Sequence, residues 1–97
     1  MLNELKKIEI ITDYVYVNKF TSKLDDVGVK GYSIFKDVSG KGSSGNKDGH
    51  GLMAGSKNCL IFIICETDDL GNIISSLKEL TKKFSGMILV SDVNKIV

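Results

Sequence analysis

Arginine is missing altogether: all 13 basic residues of this 97-residue chain are lysines. A lysine ammonium is a compact point charge, whereas the planar guanidinium grips carboxylates and phosphates through paired hydrogen bonds. This argues against hydrolytic phosphoryl chemistry that relies on an arginine clamp in a glycine-lined loop. An excess of one charge is missing too. The formal net charge is +1, and the acids and bases are dispersed, so the broad basic footprint of a nucleic-acid binder is absent and any anion site must be local. Cysteine is scarce. Cys59 and Cys65 share one apolar run, which in an extended strand separates them by roughly 20 Å at about 3.3 Å per residue. That excludes a disulfide between them, and an even spacing puts both on one strand face as small buried hydrophobes. Nothing in this usage demands an oxidising compartment. The loop Thr12 to Val15 holds no C-x-x-C pair for metal carriage. The longest apolar run, Cys59 to Cys65, is far short of the roughly 20 residues that span a bilayer. The opening Met1 to Lys7 lacks an apolar leader core, so the expectation is a soluble, cytoplasmic protein.

Hydrophobic residues make up 42% of the chain, enough for one compact domain over residues 1–97. Lys7 to Ile11 alternates polar and apolar as a half-buried strand and stops at Thr12-Asp13. Val17, Phe20, Leu24 and Val27 recur at helical steps from about Tyr14 to Val27, and Gly28 supplies a helix stop. A second strand is expected over Val29 to Val38 and a third over Asn58 to Glu66. The third is apolar on both faces, as a strand covered by helices on one side and another subunit on the other would be. Leu70, Ile73, Leu77, Leu80 and Phe84 define a second helix opening at Thr67-Asp68-Asp69 and closing at Ser85-Gly86. Met87 to Val90 forms a fourth strand, with Ser91 to Val97 as a short tail. The order is β-α-β-β-α-β, an α+β, ferredoxin-like arrangement.

Between Ser39 and Lys57 lie six of the ten glycines. A segment of that length interrupting a hairpin is expected to be functional. Ser39 to Gly45 combines glycines, hydroxyls and the Lys41 ammonium, the ingredients of an anion cradle. It is not a P-loop, because Gly42 rather than a lysine precedes the serine and no helix follows. On its own it also fits a flexible hairpin tip. His50 has only Asp48 and Asn46 as near neighbours and is expected to be a solvated loop residue rather than a metal ligand. The acids Glu66, Asp68 and Asp69 suit the positive end of a helix without any chemistry.

Gly31-Tyr32-Ser33-Ile34, followed by Gly40-Lys41-Gly42-Ser43, resembles the second strand and the base of the long T-loop in the PII signalling family, where G-x-T-V leads into G-x-G-R-Q. The segment from Gly86 to Val97 is similar to that family's G-K-I-F-V-x-D-V-x-R-V-I. The resemblance implies a homotrimer whose T-loop, about residues 39–57, regulates a protein partner, as some divergent members regulate membrane transporters. It further implies three inter-subunit clefts for an adenine nucleotide: AMP, ADP, ATP or cyclic AMP. Ser33 matches the threonine at the adenine edge, and Phe62 and Ile64 match strand-three positions bordering the base. Gly40, Lys41, Gly42, Ser43 and Ser44 correspond to the phosphate-side loop base. Gly86, with Met87 and Ile88 after it, corresponds to the B-loop, which also approaches the phosphates. No catalytic residue and no metal ligand is implied.

Departures from the family pattern shape the expectation. Where members that bind ATP with magnesium and 2-oxoglutarate carry an arginine, a glutamine and a B-loop lysine, this chain has Ser43, Ser44 and Met87, and it stops before the family's C-terminal arginines. ADP or AMP should therefore bind at least as well as ATP, with magnesium adding little. The alternatives are a trimeric interaction module that has lost the ligand, or an RNA-binding domain of the same fold. The latter wants several stacking aromatics on strand three, where only Phe62 stands.

Overall fold

In the computed structural model, which describes residues 3–42, 45–47 and 57–97, the chain forms β1 (Asn3–Asp13), a 3-10 turn (Tyr14–Tyr16), α1 (Val17–Asp26), β2 (Ser33–Val38), β3 (Gly40–Gly42), β4 (Gly45–Lys47), β5 (Asn58–Cys65), α2 (Thr67–Lys83) and β6 (Met87–Lys95). The long strands form one four-stranded sheet in the order β2-β5-β1-β6. Its ladders are antiparallel. With two helices on one face, this is the ferredoxin-like βαββαβ fold.

Alternation decides which side chains meet the helices. Ile8, Ile10 and Thr12 of β1 and Cys59, Ile61 and Ile63 of β5 point inward, and all are buried. They pack against Val17, Phe20 and Leu24 of α1 and Ile73 and Leu77 of α2, the positions that the helical spacing marks. At ~1.5–3 kcal/mol per buried aliphatic or aromatic side chain, this layer is the main source of stability.

The helix ends are specified locally. Gly28 takes φ +85°, and its amide donates to the Asp25 carbonyl at 3.1 Å while the Val29 amide reaches Leu24 at 3.0 Å. That pair of bonds is the Schellman closure, which favours glycine at the left-handed position. Helix α2 places Asp68 and Asp69 in its first turn and Lys82 and Lys83 in its last, so both ends complement the helix dipole.

Four elements depart from the sequence reading by more than one residue at an end. The first helix begins at Val17 because Tyr14–Tyr16 winds as a 3-10 turn. The second strand begins at Ser33 rather than Val29, since Val29 completes the helix closure and packs on the core. The first strand starts earlier, at Asn3, and the expected tail is strand as far as Lys95. Both extensions have one cause: Asn3 pairs with Lys95 and Leu5 with Val93, a ladder that overrides the polar composition of Ser91 to Lys95.

The glycine-rich loop is not wholly irregular. Gly40 pairs with Lys47, Lys41 with Asn46 and Gly42 with Gly45 in a separate two-stranded ribbon. Residues 43–44 and 48–56, including Ser43, Ser44 and His50, lie outside the described residues.

Candidate ligand cleft

The face of the sheet away from the helices carries Phe35 on β2, Leu60, Phe62 and Ile64 on β5, Leu5 and Ile11 on β1, and Met87, Leu89 and Val93 on β6. Several are strongly exposed, among them Phe35 at 53%, Met87 at 55% and Leu89 at 47%. Phe35 and Phe62 stack with centroids 5.7 Å apart, and the Lys7 ammonium lies 5.1 Å from the Phe62 ring centre.

Cross-strand register places the candidate ligand residues in two groups. Ser33 sits opposite Phe62 on one flank of the sheet, with Ile64 one step along the same strand face. Gly86, Met87 and Ile88 lie on the opposite flank, where Met87 pairs with Ile11. Three strand spacings separate β2 from β6, roughly 14 Å at about 4.8 Å each. Gly40 and the ribbon extend from the β2 side. Within one chain, then, Ser33, Phe62 and Ile64 come together, and Gly86 with its neighbours stands apart.

Next to the first group lies a groove of about 890 Å³ lined by Phe62 to Glu66, by Val27 to Lys30 after α1, by Asp69, Asn72 and Ile73 of α2, and by Leu5, Lys7 and Val93 to Lys95. Its size and mostly apolar walls suit a small organic ligand. The sequence reading found Phe62 and Ile64 but missed Val27 to Lys30, Cys65 and Asn72. These come from elements far apart in the chain, and the usable signal was only that Gly28 and Glu66 both mark element ends, which the sheet brings side by side. Burial pushes the Cys65 thiol pKa up, reinforced by Asp69 and then Glu66.

The loop bases are held by specific contacts. The Tyr14 amide donates to the Lys57 carbonyl at 2.6 Å, tying the far end of the glycine-rich segment to β1. Where that segment leaves β2, Asp37 adopts φ +59° within a register shift between Phe35 and Val38. Such bulges re-aim a strand where pairing ends. On the other flank, the buried Thr12 hydroxyl donates to the Ser85 carbonyl at 2.6 Å. A Cβ on Gly86 would meet the Phe20 ring at 3.3 Å, so close packing alone accounts for a glycine there. Ile88 faces the helices and is half-buried, unlike the exposed Met87.

The family model for nitrogen regulatory protein P-II matches residues 5–97. The chain belongs to the PII family. It is a PII-like signalling protein, and the ferredoxin-like fold is the PII fold. Its PII relatives of known structure include CPII, a nitrogen regulatory PII-like protein from Thiomonas intermedia K12. The form of CPII bound to ADP, AMP and bicarbonate is 31% identical over 98% of this chain and 91% of that one, with a TM-score of 0.84. The apo form of CPII gives 28% identity over 98% and 95%, with a TM-score of 0.76. A PII-like signalling protein from Thermus thermophilus shares the fold at 19% identity, covering 98% and 92%, with a TM-score of 0.74. No curated protein matches the chain significantly. Among the described residues, no group of histidine, cysteine and acidic side chains is arranged to hold a metal ion, and no helix is long and apolar enough to cross a membrane.

Proposed function

We propose that this PII protein is an adenine-nucleotide sensor: a homotrimer of single PII-like domains that binds AMP, ADP, ATP or cyclic AMP in its inter-subunit clefts. The observation that carries the reading is the split site. Ser33, Phe62 and Ile64 lie on one flank of the sheet and Gly86 to Ile88 on the other, so one small molecule touches both groups only where two subunits meet. The exposed apolar face supplies the surface for that meeting. The relative crystallised with ADP, AMP and bicarbonate supports this ligand class and makes bicarbonate the first second ligand to test.

In the cleft the groove beside Phe62 takes the base, with Ser33 at its edge. Gly40, Lys41, Gly42, Ser43 and Ser44 hold the phosphates together with the backbone around Gly86 and Met87. With lysine in place of arginine and neutral Ser43, Ser44 and Met87, the site carries little charge for a third phosphate. AMP or ADP therefore binds at least as well as ATP, in the micromolar range of about 8 kcal/mol, and magnesium adds little. Ligand binding shifts the T-loop between conformations that a protein partner distinguishes. A membrane transporter is the partner class proposed, with the sensor itself in the cytoplasm. No reaction is catalysed.

Titration calorimetry with each nucleotide, with and without bicarbonate, tests the ligand. Lys41→Ala weakens binding and flattens its salt dependence, and a bulky residue at Gly42 blocks the backbone approach to the phosphates. Absence of binding below millimolar concentration for all four nucleotides refutes the sensor.

A further inference from the structure

In the middle of the exposed sheet face stand two opposite charges. Lys7 and Glu9 are two residues apart on β1, so both project to the side away from the helices, between the apolar Leu5 and Ile11. Lys7 is flanked by Ile64 and Ser91, and Glu9 by Phe62 and Leu89. Both are half-buried, and neither forms an ion pair with another described residue. Covering this face without partners for them would strand two charges in a low-dielectric interface, a cost that works against the apolar contact around them.

We infer that, in the trimer proposed above, Lys7 of each subunit pairs with Glu9 of the next, closing a ring of ion pairs at the centre of the assembly. The inference rests on the trimer reading above and names the residues that make the assembly specific. Charge complementarity selects the occupant. An acidic peptide would satisfy Lys7 and bury Glu9 beside its own acids. A purely apolar partner would satisfy neither. A surface bearing one lysine and one glutamate at matching spacing answers both, and this face is itself such a surface. In a cyclic head-to-tail arrangement every subunit gives one lysine and receives one glutamate, so no charge is left over.

Charge reversal tests the pairing. Analytical ultracentrifugation of the full chain across a dilution series, with circular dichroism as the folding control, is run on the wild type, Lys7→Glu, Glu9→Lys and the double swap. Each single reversal places like charges together and raises the half-dissociation concentration about tenfold or more. The double swap restores the pairs and returns it to within about threefold of the wild type. If a reversed chain fails to fold, Lys7→Met, Glu9→Gln and their combination read the same cycle without added charge. Single variants that assemble like the wild type overturn the pairing, as does a double swap no better than the singles. So does a Lys7→Glu protein that stays trimeric but loses AMP binding, since Lys7, which also lines the groove, would then serve the ligand and not the subunit contact. A wild type that is monomeric throughout refutes the trimer reading itself.

Discussion

At the scale of single residues, the two thiols and the groups around Gly86 behave in separable ways. Burial raises the Cys59 pKa, as it does that of Cys65, so each thiol stays protonated above the ~8.5 of a free cysteine. Their contribution to stability is complete below that value and is lost as pH climbs through the raised one. Cys59 is fully buried and Cys65 only partly. A thiol reagent at pH 8 should therefore label Cys65 slowly and Cys59 only on unfolding, with the Cys65 rate still rising where a free thiol has levelled off. Rapid labelling of both in the native protein would contradict the packing. Thr12→Val keeps the shape and deletes the donor to the Ser85 carbonyl; denaturant unfolding should show a loss of about 1–3 kcal/mol. Gly86→Ala presses on a Phe20 ring that has no free space, and the same assay should report about 1–3 kcal/mol from overpacking.

Among the elements, the two helices and β5 were legible from the sequence because each carries its signal locally. Ile73 and Leu77 repeat at helical spacing, Gly28 ends α1, and the run from Cys59 is apolar on both faces. What escaped was set by partners distant in the chain. Ser91 to Lys95 reads as a polar tail until β1 is known to reach Asn3, and the groove takes Val27 to Lys30 and Asn72 from segments that no short motif joins. The candidate contacts Ser33, Phe62 and Gly86 were found through family resemblance, which also implies that the two groups come from neighbouring subunits; the strand order sets them on two flanks of the sheet within one chain. The left-handed Asp37 at the exit from β2 was equally hidden, since aspartate tolerates that conformation without demanding it. Asp37→Val should cost about 1–2 kcal/mol because a branched Cβ resists positive φ, whereas Asp37→Asn should be close to neutral in thermal unfolding. Among the described residues the ribbon of β3 and β4 pairs only with itself, and isolated two-stranded ribbons are marginal in water. Amide exchange at Lys41 and Asn46 should be orders of magnitude faster than at Ile61 in the centre of β5.

For the whole molecule, the proposed assembly rests on the uncovered face of the sheet. A ferredoxin-like sheet has helices for only one face, and here the other carries Phe35, Leu60, Phe62, Ile64, Met87 and Leu89. Left open, that face is an aggregation hazard; closed by copies of itself, as proposed, it would create the clefts in which the two halves of the candidate ligand site meet. Assembly and ligand binding are thus predicted to stand or fall together: Phe62→Glu, placed in the middle of the face, should lower both the trimer fraction and nucleotide affinity by about tenfold or more. The measurement that bears most directly on the central claim is native mass spectrometry of the purified chain with AMP, ADP, ATP and cyclic AMP at micromolar concentration. The account predicts a trimer carrying up to three AMP or ADP molecules, with ATP no better retained, and no nucleotide on any residual monomer. Nucleotide bound to the monomer, or a trimer that retains none of the four, would contradict it.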